Sequence, residues 1–183
     1  MSSPKIQEIL DNIVDINTQF SNINNKITDL SNKINKKSIR FITSEKGNQS
    51  IALQDGYKPV DIPFVFSWYY GDNSYFSVQN NGIKVLKACE IKIHAAVDFS
   101  RTNGRTKSSD YCFNIVKNNV SLSEAVVGVE DNGYHHHVDV YSDFCNAAVG
   151  DIIKLRCMAS VGGTLNTFGD ANKVKTYLSV EVI

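Results

Sequence analysis

The first 34 residues carry an apolar side chain at every third or fourth position without a break. From Ile6 onward the spacing alternates between three and four residues, which is the heptad pattern of a coiled-coil helix. One helix alone cannot bury such a stripe, so the pattern predicts that the chain is an oligomer. The predicted trimerisation seam consists of Ile6, Ile9, Ile13, Ile16, Phe20, Ile23, Ile27, Leu30 and Ile34.

The residue types in this stripe indicate the number of strands. Isoleucine occurs at both core positions of the heptad, a and d, and this combination favours three-stranded coiled coils over two-stranded ones. Ser3 and Pro4 are typical of a helix start, as an N-cap and a first helical residue. The alternative is an amphipathic helix that packs on the chain's own globular domain, although such helices drift from a strict heptad over this length. We therefore predict a trimeric α-helical coiled-coil stalk over residues 1–37.

The overall charge excludes several classes of partner. The chain has 19 basic and 19 acidic residues, and its formal net charge is zero. Bulk charge would therefore hold neither a nucleic acid nor an anionic membrane. The sequence shows no signal peptide and no apolar run of about 18 residues. We expect a protein made in the cytoplasm, with no nucleic-acid and no membrane partner.

After residue 38 the apolar period changes from 3.5 to 2, which predicts β-strands separated by turns. We expect a neck with short strands over residues 38–63 and a β head over residues 64–183. The head would contain about eight or nine strands, the number typical of a jelly-roll β-sandwich. Four scattered cysteines, Cys89, Cys112, Cys145 and Cys157, are expected to be free thiols. The predicted strands are 38–42, 50–53, 65–68, 75–78, 89–99, 111–115, 125–129, 134–141, 153–161 and 174–183.

Four segments of the β region carry a resemblance to a known fold. They are a glycine-containing entry to a long strand, an aromatic strand that ends in a Lys-Asn turn, a Gly-Asp turn before an apolar strand, and a closing aromatic strand. Together they resemble the C1q/TNF-like jelly-roll class, and especially the receptor-binding heads of phage tail fibres and baseplates. No collagen repeat occurs, and this favours the phage proteins within that class. The segments are residues 80–99, 111–118, 149–155 and 176–183.

Catalytic motifs do not appear in the sequence. It contains no phosphate-binding glycine loop, no nucleophile elbow and no His-Glu-x-x-His motif. The carboxylates are spread over predicted turns and outer strand faces, where solvated side chains are the common case. We therefore predict a protein that is not an enzyme and that uses no cofactor.

An aromatic segment at residues 68–75 is the first candidate for ligand binding. Flat aromatic faces bind the apolar face of a sugar, and neighbouring Asp and Asn side chains can bond to its hydroxyls. We predict that the segment forms a saccharide-binding loop. The alternative is that Trp68 and Tyr70 pack in the core or between subunits, and that the loop only connects strands. The predicted ligand-binding residues are Trp68, Tyr69, Tyr70, Asp72, Asn73 and Tyr75.

The second candidate is the run of three histidines that ends at His137. On a strand, His135 and His137 would point outward together with Asp139, and His136 would point inward with Val138. His135 and His137 are therefore further candidate ligand-binding residues. Threefold repetition could also gather imidazoles into a metal site, but an ordinary subunit contact explains the run as well, and we assign no metal ligand.

The resemblance implies a function. It implies a homotrimeric phage tail or baseplate protein, located in the virion and made in the host cytoplasm. Its head would bind saccharide of the host cell surface or cell wall, and its stalk would bind other tail or baseplate proteins. Three weak sites on one head would act by avidity. The alternatives are a virion protein that caps, decorates or connects without any ligand, and a bacterial C1q-like surface protein.

Overall fold

The computed structural model describes residues 3–34, 40–44, 48–64, 66–70, 73–102, 108–129, 135–168 and 176–183. The chain divides into a helical unit, residues 1–37, and a β unit, residues 38–183. None of the described helical residues forms a span long and apolar enough to cross a membrane.

The helical unit is one α-helix, α1, over Pro4–Ile34. It begins where the sequence predicted, and the carbonyl oxygen of Ser3 accepts hydrogen bonds from the N–H groups of Ile6 and Gln7 at 2.8 and 3.2 Å. The seam side chains from Ile6 to Ile27 are 48–62% exposed. The side chains of Leu30 and Ile34 lie outside the described part. The helix prediction is confirmed, and the trimeric coiled coil stays a prediction.

The β unit contains thirteen strands among its described residues, and every pair of neighbours is antiparallel. The strands are β1 (Arg40–Ser44), β2 (Gln49–Leu53), β3 (Val60–Asp61), β4 (Phe66–Tyr70), β5 (Phe76–Gln79), β6 (Gly82–Val85), β7 (Cys89–Thr102), β8 (Ser109–Lys117), β9 (Val120–Val129), β10 (His136–Ala147), β11 (Ile152–Ala159), β12 (Gly163–Thr167) and β13 (Tyr177–Val182).

The strands form two sheets. The seven-stranded sheet has the order β2-β12-β7-β13-β1-β4, with β10 also paired to β7. The six-stranded sheet has the order β5-β6-β11-β8-β9, with β3 also paired to β11. Buried side chains from both sheets, such as Phe41 and Phe99 from the first and Phe113 and Leu155 from the second, form one core. The predicted mainly-β architecture is confirmed.

The long strand β7 organises the seven-stranded sheet. β10 pairs along one of its edges, and β13 and β12 follow one another along the opposite edge. The odd-numbered side chains from Ile91 to Phe99 point into the core and are at most 1% exposed. The even-numbered side chains therefore form the outer face of this sheet, because strand side chains alternate in direction.

The predicted neck is wrong for strands β1 and β2. β1 pairs with β13 on one side and β4 on the other, and β2 pairs with β12. Both strands are therefore members of the seven-stranded sheet. The prediction failed because β13 and β12 lie more than a hundred residues away from β1 and β2 along the chain.

The Lys-Asn turn after β8 and the Gly-Asp turn before β11, both part of the fold resemblance, contact one another. Asn118 and Asn119 follow β8 with φ angles of 50° and 70°, which suits the type I′ turn of a hairpin. The side chain of Asn118 donates to Asp151 Oδ1 at 2.7 Å and accepts from the N–H of Ile152 at 2.9 Å. Gly150, with φ of 94°, completes the second turn. These bonds fix the register between β8 and β11.

Asp61 fastens the two-residue strand β3 to β11. Its carboxylate accepts hydrogen bonds from Lys154 Nζ at 2.5 Å and Arg156 Nε at 2.7 Å. Burial acts to raise the pKa of Asp61, but the two cations together outweigh it and lower that pKa below its ordinary 3.8. A carboxylate with a lowered pKa stabilises the fold above its unfolded-state pKa, and this contribution is lost as the pH falls through the folded-state pKa.

We expect Asp61→Asn to lower the free energy of unfolding by about 1–2 kcal/mol at pH 7, because two charge-assisted hydrogen bonds are lost. Urea unfolding measures the change, and Asp143→Asn at an exposed position is the control. The difference between wild type and Asp61→Asn should shrink as the pH falls below about 4. An equal loss of stability at every pH would contradict the assignment.

Candidate binding face of the seven-stranded sheet

The outer face of the seven-stranded sheet brings polar and aromatic side chains of β7, β10 and β13 together. His137 is the register partner of Asp98, Tyr141 is the partner of His94, and Tyr177 is the partner of Ala96. Alternation in the three strands places these side chains on the side away from the core. We name this surface the β7–β10 face; its members are His94, Asp98, His137, Asp139, Tyr141 and Tyr177.

Four of these side chains form a continuous histidine–aspartate cluster, composed of Asp98, His137, Asp139 and His94. His137 Nδ1 lies 2.5 Å from Asp98 Oδ1, and His137 Nε2 lies 3.2 Å from Asp139 Oδ2. The other oxygen of Asp139 lies 2.8 Å from His94 Nε2. His94 Nδ1 in turn lies 3.0 Å from the hydroxyl of Tyr177. The cluster thus links β7 and β10 through side chains, and Tyr177 extends this connection to β13.

The carboxylates change the proton affinity of His137. The hydrogen bond that the His137 ring donates to Asp98 raises the pKa of His137 above its ordinary 6.5, and partial burial opposes that effect. The charges of Asp98 and Asp139 also favour the protonated ring. The net effect is a raised pKa, so His137 binds its proton more strongly than an isolated histidine does.

Next to the cluster, the face offers an open aromatic platform. The ring of Tyr141 is stacked on that of His94 at 4.2 Å and 5°, and Tyr177 meets His94 edge-on at 5.2 Å and 90°. The Tyr141 side chain is 63% exposed. A pocket of about 250 Å³ adjoins this platform. Its lining residues are Lys92, Ile93, His94, Tyr141, Ser142, Ser179 and Glu181.

The prediction of a loop at residues 68–75 is wrong for residues 68–70. Trp68, Tyr69 and Tyr70 belong to β4, whose residues pair with β1. Aromatic residues favour pleated strands, and this preference explains why the strand continues to Tyr70. The side chains of these three residues, and Asp72 as a whole, lie outside the described part.

The described end of that segment contributes more to packing than to an open surface. Asn73 is exposed, but the half-buried ring of Tyr75 packs against the core at 6.2 Å from the ring of Phe76. Lys87 Nζ lies 4.7 Å from the centre of the Tyr75 ring. In the sheet, β4 and β10 are separated by β1, β13 and β7. Strands β4 and β10 are therefore about 19 Å apart across the sheet, at about 4.8 Å per strand.

The three histidines of the run have different environments. His135 is exposed and stacks on Phe168 at 4.3 Å. His136 is half-buried, and its ring lies 5.3 Å from that of Phe99. His137 points outward next to Asp139, so the predicted alternation of this strand is confirmed. Among the described residues, no group of three or more His, Cys, Asp or Glu side chains is arranged to hold a metal ion.

The other members of the face were not among the predicted site residues. The alternation of apolar and polar residues in β7 places His94 and Asp98 on its outer face, but it does not reveal that β10 lies beside them. Tyr141 and Tyr177 carried no signal beyond their places in predicted strands. A search for outward-pointing His and Asp residues on neighbouring strands would have found the cluster only with the β7–β10 register known.

The four cysteines are free thiols in the structure. Cys157 and Cys112 are buried, and burial raises the pKa of Cys112 to about 11 and raises that of Cys157 further. Burial also raises the pKa of Cys89 and Cys145, which are partly buried. Since the thiolate is the reactive form, none of these four thiols is suited to act as a nucleophile near neutral pH.

Comparison with known proteins identifies the fold. No protein-family model matches the sequence, and no curated protein matches it. The crystal structure of murine APRIL at pH 5.0 matches with a TM-score of 0.54 and 11% identity, over 80% of this chain and 100% of that chain. The β unit is a TNF-like jelly roll. The structure of Eiger TNF from S. frugiperda matches with a TM-score of 0.42 and 8% identity, over 80% of this chain and 93% of that chain.

Proposed function

We propose that the protein is a homotrimeric, non-enzymatic attachment protein of a phage tail or baseplate, whose β head binds saccharide of the host cell surface. Its N-terminal helix would form the stalk and bind other tail or baseplate proteins. The observation that carries the proposal is the half-exposed isoleucine stripe of α1, which precedes a TNF-like jelly roll in the same chain.

The stripe supports association of the helices. Seven of its side chains, from Ile6 to Ile27, are each about half exposed. Moving one such side chain from half exposed to buried contributes about 1 kcal/mol. Repeated over seven positions in three chains, the gross stabilisation is on the order of 20 kcal/mol. Isoleucine at both core positions favours burial of the stripe in a three-stranded coiled coil.

The aromatic platform supports saccharide as the ligand. The exposed ring of Tyr141 offers a flat surface for the C–H groups of a sugar ring. Lys92, Ser142 and Glu181, which line the adjoining pocket, offer donors and acceptors for sugar hydroxyls. A trimer carries three copies of this platform, so each later contact with the same cell wall is effectively intramolecular. Residues 68–75 remain a second candidate segment.

Binding of the full-length protein to a glycan array and to isolated host cell walls tests the proposal. We expect binding by the wild type, and a loss of at least tenfold in affinity on Tyr141→Ala, because stacking on an aromatic ring is lost. Trp68→Ala tests the second segment in the same assay. Tyr57→Ala is the matched control, since Tyr57 is an exposed tyrosine outside both segments. Absence of binding at high protein concentration would overturn the saccharide proposal and favour a virion protein without a ligand.

A further inference from the structure

The start of β10 depends on one neighbour for its position. β10 pairs with β7, and among the strands that the structure describes it lies at an edge of the seven-stranded sheet. Strand ends and edges open locally more readily than central strands, because fewer contacts hold them. His137 is the second residue of β10, and its register partner is Asp98 of β7. The histidine–aspartate cluster therefore lies where opening of β10 would begin.

The geometry of His137 suits a ring that carries a proton on both nitrogens. Both ring nitrogens face carboxylate oxygens, Nδ1 that of Asp98 at 2.5 Å and Nε2 that of Asp139 at 3.2 Å. Ionised carboxylates only accept hydrogen bonds, and a neutral imidazole has a single N–H donor. Only the imidazolium form can therefore donate to both carboxylates. His94 differs, because its two nitrogens face one carboxylate and one hydroxyl, which a neutral ring satisfies.

The charged groups around His137 all favour the protonated form of its ring. Asp98 of β7 and Asp139 of β10 face the His137 ring. His94 and Tyr177 lie on the far side of Asp139. β8 and β9 also pack against β10, but on the core side, with buried or half-buried side chains such as Tyr111, Val127 and Val129. Among the described residues, both charged groups within hydrogen-bonding distance of the His137 ring are carboxylates.

We propose that the histidine–aspartate cluster is a pH-responsive clamp, which fastens the start of β10 to β7 in mildly acidic medium and releases it in alkaline medium. When the His137 ring loses one proton, one of its two bonds to a carboxylate is lost. A ring nitrogen lone pair then faces a carboxylate, which is repulsive. The clamp needs neither a ligand nor a second chain, so it holds whether or not the saccharide proposal is correct.

The pKa of His137 is shifted in the direction that this geometry predicts. That pKa is raised above the ordinary value of 6.5 by the hydrogen bond to Asp98 first, and further by the charges of both carboxylates. A group whose pKa is raised in the folded state contributes its full stabilisation below the unfolded-state pKa. The contribution is lost as the pH rises through the raised folded-state pKa. The release of β10 therefore belongs to the range above pH 6.5.

Hydrogen exchange of the full-length protein, followed by mass spectrometry from pH 6 to pH 8.5, tests the clamp. After correction for the intrinsic pH dependence of exchange, we expect protection of the first residues of β10 to fall about fivefold as the pH rises. In His137→Gln this fall should be absent, because glutamine keeps a polar side chain but does not titrate. His135→Gln is the matched control and should retain the wild-type dependence.

A second variant keeps the test decisive if His137→Gln does not fold. Asp98→Asn removes the closest carboxylate, so the loss of protection should occur at lower pH than in the wild type. Equal pH dependence in the wild type and His137→Gln would overturn the proposal. So would a wild type whose β10 protection, after the same correction, does not change with pH, or an Asp98→Asn profile that coincides with that of the wild type.

Discussion

Replacing Ile13 and Ile16 together by aspartate is expected to dissociate the proposed trimer into monomers with a folded β unit. The two positions are consecutive a and d residues of the heptad, and both are about half exposed on α1. In a trimer the two substitutions place six carboxylates in an apolar seam, where burying an unpaired charge is strongly unfavourable. We expect association to weaken by more than 100-fold, the equivalent of about 3 kcal/mol. Sedimentation velocity at micromolar concentration measures the mass.

The matched control for this variant is Val14→Asp. Val14 is an apolar residue of the same helix, 65% exposed, and it lies at the b position outside the seam. This variant should remain a trimer. If the double variant also remained a trimer, the seam would not be what holds the chains together. If the wild type itself sedimented as a monomer, the proposed trimer would be wrong.

Phe99→Ala is expected to cause the largest loss of stability among substitutions in the β unit, about 3–5 kcal/mol. The Phe99 ring is fully buried, and its centre lies 5.5 Å from that of Tyr111 and 5.1 Å from that of Phe113. These contacts join the two sheets, so the substitution leaves a cavity between them. Guanidinium unfolding, followed by tryptophan fluorescence and circular dichroism, measures the loss.

Phe144→Ala is the control for this prediction. Phe144 is 56% exposed on β10, where Lys92 Nζ lies 4.4 Å from the centre of its ring. We expect a loss of less than about 1 kcal/mol, because the side chain is already in water and loses one cation–π contact. Similar losses for the two variants would mean that Phe99 does not lie in a closely packed core.

Local patterns in the sequence predicted much of the architecture. The heptad spacing predicted α1, and alternation predicted the inward and outward sides of β7 because one face of that strand is buried. The short strands β6 and β12 were missed. Each begins at a glycine, a residue typical of turns, and each has at most five residues over which alternation can appear.

Pairing between distant strands limited the prediction of the site. Alternation predicted that His137 points outward, and the structure confirms it. The partner of His137, Asp98, is 39 residues away and is set by the register of β10 on β7. Periodicity carries no information on that register, so the cluster could not be derived from residue patterns. Periodicity also does not show which strands pair, so a neck was predicted for residues that form β1 and β2 of the seven-stranded sheet.

The position of β13 affects the order in which this protein can be synthesised and folded. The strand lies between β1 and β7, so residues 177–182 complete the middle of a sheet whose other members precede them in the chain. Until the ribosome has released these residues, β1 and β7 each lack their neighbour on the side that β13 occupies, and backbone hydrogen-bonding groups on that side stay unpaired. The nascent chain therefore cannot complete its seven-stranded sheet before residues 177–182 have left the ribosome, and until then the two open strand edges can pair with other chains.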